Sequence, residues 1–309
     1  MWSRYWVSNN SFLQTDPIKC GPRGRLCLGA NLSANGSLDM FVDQNIFWLV
    51  TPFKIPFVNA TYGALVDIPF AIAAASGAGS LEPVLTFSGF RTSRTLLGSI
   101  QERSGSVTKG SIGDIYFEPV DLGWHFKQLD ALVTGGFLAP VGPYNADARV
   151  NIGYGHWTGL LGLGGVFYPD RERTWSLSIF SHYEMYSYQD GRPYTLGDEV
   201  PFEWAVGKAF NLPSDMFKQL TIGAVGYAQW QATDNQVNVS ATISAESTVI
   251  HRLEELKTQI YAAGPGVQLL TKYGLFALRY YDEFGARATP SGQQLMFSVT
   301  LAGNPWGWR

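Results

Sequence analysis

Leu220-Thr-Ile-Gly-Ala-Val-Gly-Tyr-Ala-Gln-Trp-Gln231 separates into two faces when every second residue is taken. Leu220, Ile222, Ala224, Ala228 and Trp230 fall on one side, and Thr221, Gly223, Tyr227, Gln229 and Gln231 on the other. Only Val225 and Gly226 are out of character. A period of two is the side-chain period of a β-strand, and a tilted strand of about 9–11 residues crosses a bilayer. Similar segments recur along nearly the whole chain, joined alternately by short turns and longer polar loops. That combination predicts a closed transmembrane β-barrel.

The totals agree with this reading. Charged residues make up 15% of the 309 and aromatics 14%, whereas a soluble domain carries about 25% charged residues. Mean hydropathy is nevertheless close to zero, and no run reaches the ~18–20 apolar residues of a spanning helix. Alternating strands produce an apolar surface without apolar runs, because half their residues face lipid and half a lumen. The net charge of −3 argues against nucleic acid, whose binding needs clustered Lys and Arg. Cys20 and Cys27 could form one disulfide or remain two thiols, and their spacing lacks the companion ligands of a zinc site. Met1 to Trp6 is followed by no apolar signal region, so the export signal is absent from this chain. The expectation is a mature form, a fragment or a misassigned start.

The predicted architecture is all-β: an antiparallel up-and-down transmembrane barrel of about twelve strands, within a range of about 10–14. Residues 1–23 are expected to form a periplasmic tail or small plug, and residues 24–309 the barrel. Strand patterns begin near Leu26 to Leu32 and Met40 to Thr51, turn at Pro52 to Pro56, and end at Leu295 to Leu301. Long extracellular loops are expected at 74–111, irregular and controlling access, and at 233–256. Turns near 52, 127, 170, 214 and 272 are short. Placing them in the periplasm puts both termini there too, in a Gram-negative outer membrane.

Phase assigns Asp67, Asp114, Glu118, His182, Glu184, Glu203, Tyr227, Gln229, Arg279, Tyr281 and Glu283 to the lumen as candidate pore-lining residues, with Arg279 paired to one carboxylate. Lys or Arg facing lipid at the midplane costs about 2–4 kcal/mol, so these charges belong inside or at the rims. Lys208 shares the outward phase of Phe202, Trp204, Val206 and Phe210 and is expected to snorkel to the interface. Trp48, Tyr62, Trp124, Trp157, Trp175, Trp204 and Trp230 suit the interfacial belts.

Ile112-Gly-Asp-Ile-Tyr-Phe-Glu-Pro-Val-Asp-Leu-Gly-Trp-His-Phe126 resembles the signature of a family of outer-membrane proteins tied to the meta-cleavage pathway of phenol degradation and described as transporters. Asn151-Ile-Gly-Tyr-Gly-His-Trp157, Phe202-Glu-Trp-Ala-Val-Gly-Lys208, Gly223 to Gln231, Ala263-Gly-Pro-Gly266 and Arg279-Tyr-Tyr-Asp-Glu-Phe-Gly285 follow in the family's order. The resemblance covers roughly residues 39 to 302. It implies an outer-membrane barrel that passes small hydrophobic or aromatic molecules. The chain departs from the common aromatic end of such barrels, running Asn304-Pro-Trp-Gly-Trp-Arg309.

The expected function is therefore passive admission of small hydrophobic or aromatic compounds. The expected partners are those molecules and the lipid bilayer, with no nucleic acid. Passive flow needs no cofactor. A structural or adhesive barrel with an occluded lumen is the alternative. An embedded enzyme is the third class: His182 and Glu184 share a face that could orient Ser178, while Ser181 has the wrong phase. The histidines His125, His156, His182 and His251 form no metal-type cluster, and no nucleophile elbow is present, so no catalytic or metal-binding residue is assigned.

Overall fold

A computed structural model describes residues 2–12, 26–89, 92–97, 100–146, 148, 151–191, 194–237, 257–289 and 291–301. Cys20, most of the 233–256 loop and the chain end from 302 lie outside the described residues. The described chain is all strand and loop: β1 (Trp2–Phe12), β2 (Leu26–Ile55), β3 (Ala60–Gly89), β4 (Thr92–Leu97), β5 (Ile100–Ile112), β6 (Ile115–His125), β7 (Leu129–Ala139), β8 (Thr158–Phe167), β9 (Trp175–Tyr186), β10 (Tyr194–Thr195), β11 (Glu199–Asn211), β12 (Phe217–Gln231), β13 (Gln236–Val237), β14 (Gln259–Thr271), β15 (Leu275–Arg287) and β16 (Gln293–Thr300).

Antiparallel pairing runs β1-β2-β3-β6-β7-β8-β9-β11-β12-β14-β15-β16 and returns from β16 to β1 through Trp2↔Phe297 to Trp6↔Gln293. The ring thus closes with twelve strands among the described residues; β4 and β5 pair with β3 outside it. This is a transmembrane β-barrel of the outer-membrane type. Every strand of this ring pairs with a neighbour on both sides, so no sheet edge faces hydrocarbon, which offers no hydrogen bonds.

The number agrees with the sequence reading, but its membership does not. Trp2–Phe12 is a wall strand rather than a tail or plug, wedged between β16 and β2. Its residues do not alternate cleanly between apolar and polar, so only ring closure reveals it. The separate patterns near residues 26 and 40 belong to one strand, β2, and the turn after it lies at 56–59 rather than 52–56. The irregular loop expected at 74–111 is instead strand: β3 runs on to Gly89, followed by β4 and β5. Above the rim marked by Trp6↔Asp39, β2 and β3 stay paired from Leu38↔Ala75 to Leu26↔Phe87. That ribbon extends roughly 40 Å at about 3.3 Å per residue. A ribbon outside the bilayer has no lipid face to satisfy, so its sequence lacks the alternation that marks the wall.

On the wall, the alternation holds. Phe47, Ile68, Phe70, Leu161, Leu163, Ile222 and Leu278 stand exposed on the outer face, whereas Asp67, Glu118, Asp121, Thr134 and Gln231 are buried inside. Among the described residues no large side chain is fully buried. The two-layer apolar core of a soluble sandwich is absent from this region, and the polar groups lie within.

Lys208 keeps its outward phase opposite Trp175. Its ammonium donates to Thr174 Oγ1 at 2.5 Å and lies 5.2 Å from the centre of the Trp175 ring, at the short-turn end where the charge reaches the interface. In the adjoining turn, Asp170 accepts from the Thr174 hydroxyl and from the N–H groups of Thr174 and Trp175. The Thr174 hydroxyl, helped by those N–H groups, holds the Asp170 carboxyl down at about 2.

Glycines on the inner face of β8 make room for one ring. A Cβ on Gly162 would strike Thr134 Oγ1 and lie 2.8 Å from Phe180 Cζ; one on Gly164 would lie 2.5 Å from Phe180 Cδ2.

Two outcomes follow. Gly162→Ala should lower the thermal midpoint of the folded barrel, at a cost of about 1–3 kcal/mol for overpacking, and Phe180→Ala in the same chain should restore part of it. Asp170→Ala should lower the midpoint at neutral pH. Because the folded carboxyl titrates below its ordinary 3.8, its contribution is full above that value and fades as pH falls through about 2. Wild type and variant should therefore converge in acid, read by the temperature at which the compact form is lost on gels.

Candidate functional site

A bulge in β6 sets the interior chemistry. Phe117↔Phe137 is followed by Val120↔Gly135, and Leu65↔Glu118 by Gly63↔Asp121, so β6 gains one residue against both neighbours. The extra residue reverses the phase. Glu118 and Asp121, three apart, consequently both point inward and are buried. The Tyr62 hydroxyl donates to the Pro119 carbonyl at 2.6 Å beside the bulge. Asp121 in turn accepts the Trp48 indole N–H at 2.7 Å. Trp48 is thus a lumen residue rather than a belt residue: its N–H has a carboxylate inside and would have none in hydrocarbon.

A cavity of about 490 Å³ occupies the short-turn half of the lumen. Its wall is lined by Trp48, Val50, Leu132, Phe180, Val225 and Tyr281, with the polar groups of Asp121, His125, Asp130, Ser178, Glu203, Gln268 and Arg279 among them. At its lower rim Asp130 is held by His125 at 3.1 Å, the Tyr168 hydroxyl at 2.9 Å and Arg173 at 3.5 Å. The Arg173 guanidinium also stacks over Tyr168, 4.4 Å from its ring centre.

The inner wall of the loop-side half carries hydrogen-bonded polar side chains. Tyr186 donates to Glu184 and lies 3.0 Å from Glu199; His182 Nε2 meets Glu184 at 2.7 Å. Glu199 also accepts from Gln229 and from Thr258 at 2.7 Å. Tyr116 donates to Glu118 at 2.5 Å, and Tyr227 to Glu283, which also takes the Gly292 N–H at 2.7 Å. Gln44 donates to Asp67 at 3.0 Å, while the other Asp67 oxygen is buried with no hydrogen-bond partner among the described residues. Networks of this kind order an interior because each donor specifies its acceptor.

Ten of the eleven sequence candidates, then, project from the wall into the lumen. Glu203, Arg279 and Tyr281 reach the cavity, whereas Asp67, Glu118, His182, Glu184, Tyr227, Gln229 and Glu283 join the hydrogen bonds above it. Asp114 is the exception. It sits at the break between β5 and β6 and accepts the N–H groups of Gly142 at 2.8 Å and Tyr154 at 2.7 Å. Gly142 and Gly153 meet so closely there that a Cβ on Gly142 would lie 2.9 Å from Gly153 Cα. Asp114 staples the 140–157 loop rather than lining the pore. In that loop burial pushes the His156 imidazole below its ordinary value, favouring the neutral ring that contacts Tyr186 edge-on at 5.1 Å.

Arg279 is not paired with a carboxylate: among the described residues none lies within ion-pair distance, and its Nη1 meets the Met296 sulfur at 3.8 Å. Ser178 and Ser181 donate to the carbonyls of Ala205 and Pro201, at 3.5 and 2.8 Å. Sequence reasoning missed Asp121, Glu199, Tyr116, Tyr186 and Phe180. The inward phase of Tyr116, Phe180 and Tyr186 was readable beside Glu118, His182 and Glu184; that of Asp121 was hidden by the bulge.

The family described as "Putative MetA-pathway of phenol degradation" matches residues 29–299. The chain belongs to that family. Within it, the Ile112 to Phe126 string has a structural meaning here: Asp114 staples a loop, and the Pro119 bulge turns Asp121 inward. Among solved structures, an outer membrane channel from Pseudomonas putida F1 is similar in fold, with 12% identity and a TM-score of 0.51 over 97% of this chain and 94% of that one. BamA from Haemophilus ducreyi lacking POTRA domains 1-3 aligns over 97% of this chain and 70% of its own, with 8% identity and a TM-score of 0.30, too low to bear on the reading. No curated protein matches the chain.

Asp114→Ala should leave the barrel folded but free two loop N–H groups, each worth about 1–3 kcal/mol when stranded. The expected result is faster proteolytic cutting between residues 140 and 157 with unchanged heat-modifiable mobility of the barrel.

Proposed function

We propose that the protein is an outer-membrane channel that passively admits small hydrophobic or aromatic compounds through its lumen. The observation that carries this reading is the cavity inside the ring, walled by Trp48, Phe180, Tyr281, Val225 and Leu132 and punctuated by a few polar groups. Such a mixture is characteristic of sites for small organic molecules, where apolar wall supplies contact and scattered polar groups set orientation. Family membership and the fold likeness to a channel support the same reading. A solute moving between the two ends passes the Tyr186–Glu184–Glu199 network on the wall of β9 and β11, whose members exchange hydrogen bonds. Downhill passage of this kind draws on no chemical step, so the reading assigns no catalytic residue and no cofactor.

Proteoliposomes holding the barrel should take up phenol and benzyl alcohol faster than empty vesicles, and planar bilayers should show unitary currents. Val225→Trp, which places an indole in the cavity, should lower both several-fold. Equal flux with and without protein, together with electrically silent bilayers, would instead favour a structural barrel with an occluded lumen.

A further inference from the structure

Arg279 stands apart from the other charges of the cavity. Asp121 is answered by Trp48, and Asp130 by His125, Tyr168 and Arg173. Arg279 projects inward from β15 opposite Gly266, where a Cβ would lie 3.8 Å from Arg279 Cγ and 3.1 Å from Val225 Cγ1. Its neighbours are the Met296 sulfur, a weak acceptor, and the Tyr281 hydroxyl. A guanidinium keeps its charge and offers five donors in a planar fork suited to a carboxylate. Two more donors line the same cavity beside it: the Gln268 amide, two positions along β14 from Gly266, and the Tyr281 hydroxyl.

We propose that Arg279, Gln268 and Tyr281 form a carboxylate subsite in the lumen cavity, and that the cavity takes aromatic monocarboxylates. The aromatic part is set by Trp48 and Phe180, which line the cavity with these donors. The restriction to one acid group comes from Glu203, an exposed carboxylate on the same cavity. Among the described residues it makes no ion pair with the half-buried Arg279, whose fork therefore stays open to an incoming carboxylate. A second carboxylate on the ligand would meet Glu203 and be repelled. This inference deepens the channel reading and rests on it for the direction of traffic, but binding can be measured without passage.

Isothermal titration of the full-length barrel in detergent with sodium benzoate, benzyl alcohol, acetate and phthalate tests it, alongside unitary currents from the same preparation. Benzoate should bind best; benzyl alcohol lacks the charge, acetate the ring, and phthalate carries the extra carboxylate. Arg279→Gln should weaken benzoate roughly ten-fold or more and leave benzyl alcohol unchanged. Arg279→Lys, which keeps the charge and loses the fork, should fall between. Heat-modifiable mobility checks that each variant folds. The subsite is overturned if benzoate binds no better than benzyl alcohol, or equally well to wild type and Arg279→Gln. Benzoate binding in a barrel that carries no current would uphold the subsite and overturn the channel. Current with no benzoate binding would do the reverse.

Discussion

Hydrocarbon offers no hydrogen bonds, and the architecture follows from that constraint. An open sheet edge inside a bilayer would strand a row of N–H and C=O groups, so β2 and β16 both need a neighbour. Trp2–Phe12 fills that gap, which is why a segment with no clean alternation becomes a wall strand. The same rule lets the ladder relax only where water or protein supplies partners: at the Pro119 bulge, where the Tyr62 hydroxyl takes a carbonyl, and in the ribbon of β2 and β3 above the rim.

Closure turns the polar face of every strand toward the others and creates a second problem, a crowd of carboxylates in a confined space. The chain meets it with neutral donors more than with cations. Tyr116, Tyr186, Tyr227, Gln44, Gln229, Thr258 and Trp48 each donate to an acidic group. Hydrogen bonds to an ionised acceptor are stronger than those between neutral groups, so tyrosines and amides can hold acids in place without neutralising them. Arg279 is left over from this arrangement, a cation with no carboxylate within ion-pair distance among the described residues.

Packing then divides the lumen. Gly162 and Gly164 yield space to Phe180, and Gly266 and Gly264 occur opposite the Arg279–Tyr281 stretch of β15. Small residues on one strand thus determine where large ones on the next can point. The loop-side wall carries the Tyr and Glu network, and the other half holds a cavity whose wall is largely apolar. Outside, Lys208 and Asp170 settle the interface by reaching Thr174 from two directions.

The sequence by itself determined the class of fold and the two faces of its wall strands, because alternation along strands such as Leu220 to Gln231 is a local property with a fixed period. It could not determine which residues change phase or which partners they meet. Asp121 turns inward only because β6 gains a residue against two neighbours, and Trp48 follows it. Asp114 shares the inward phase of Glu118 yet serves a loop, since Gly142 and Tyr154 arrive from a distant part of the chain. The length of β2 and β3 and the isolation of Arg279 were likewise decided by tertiary structure: pairing and charge balance depend on what lies across the barrel, and no periodicity along one strand records that.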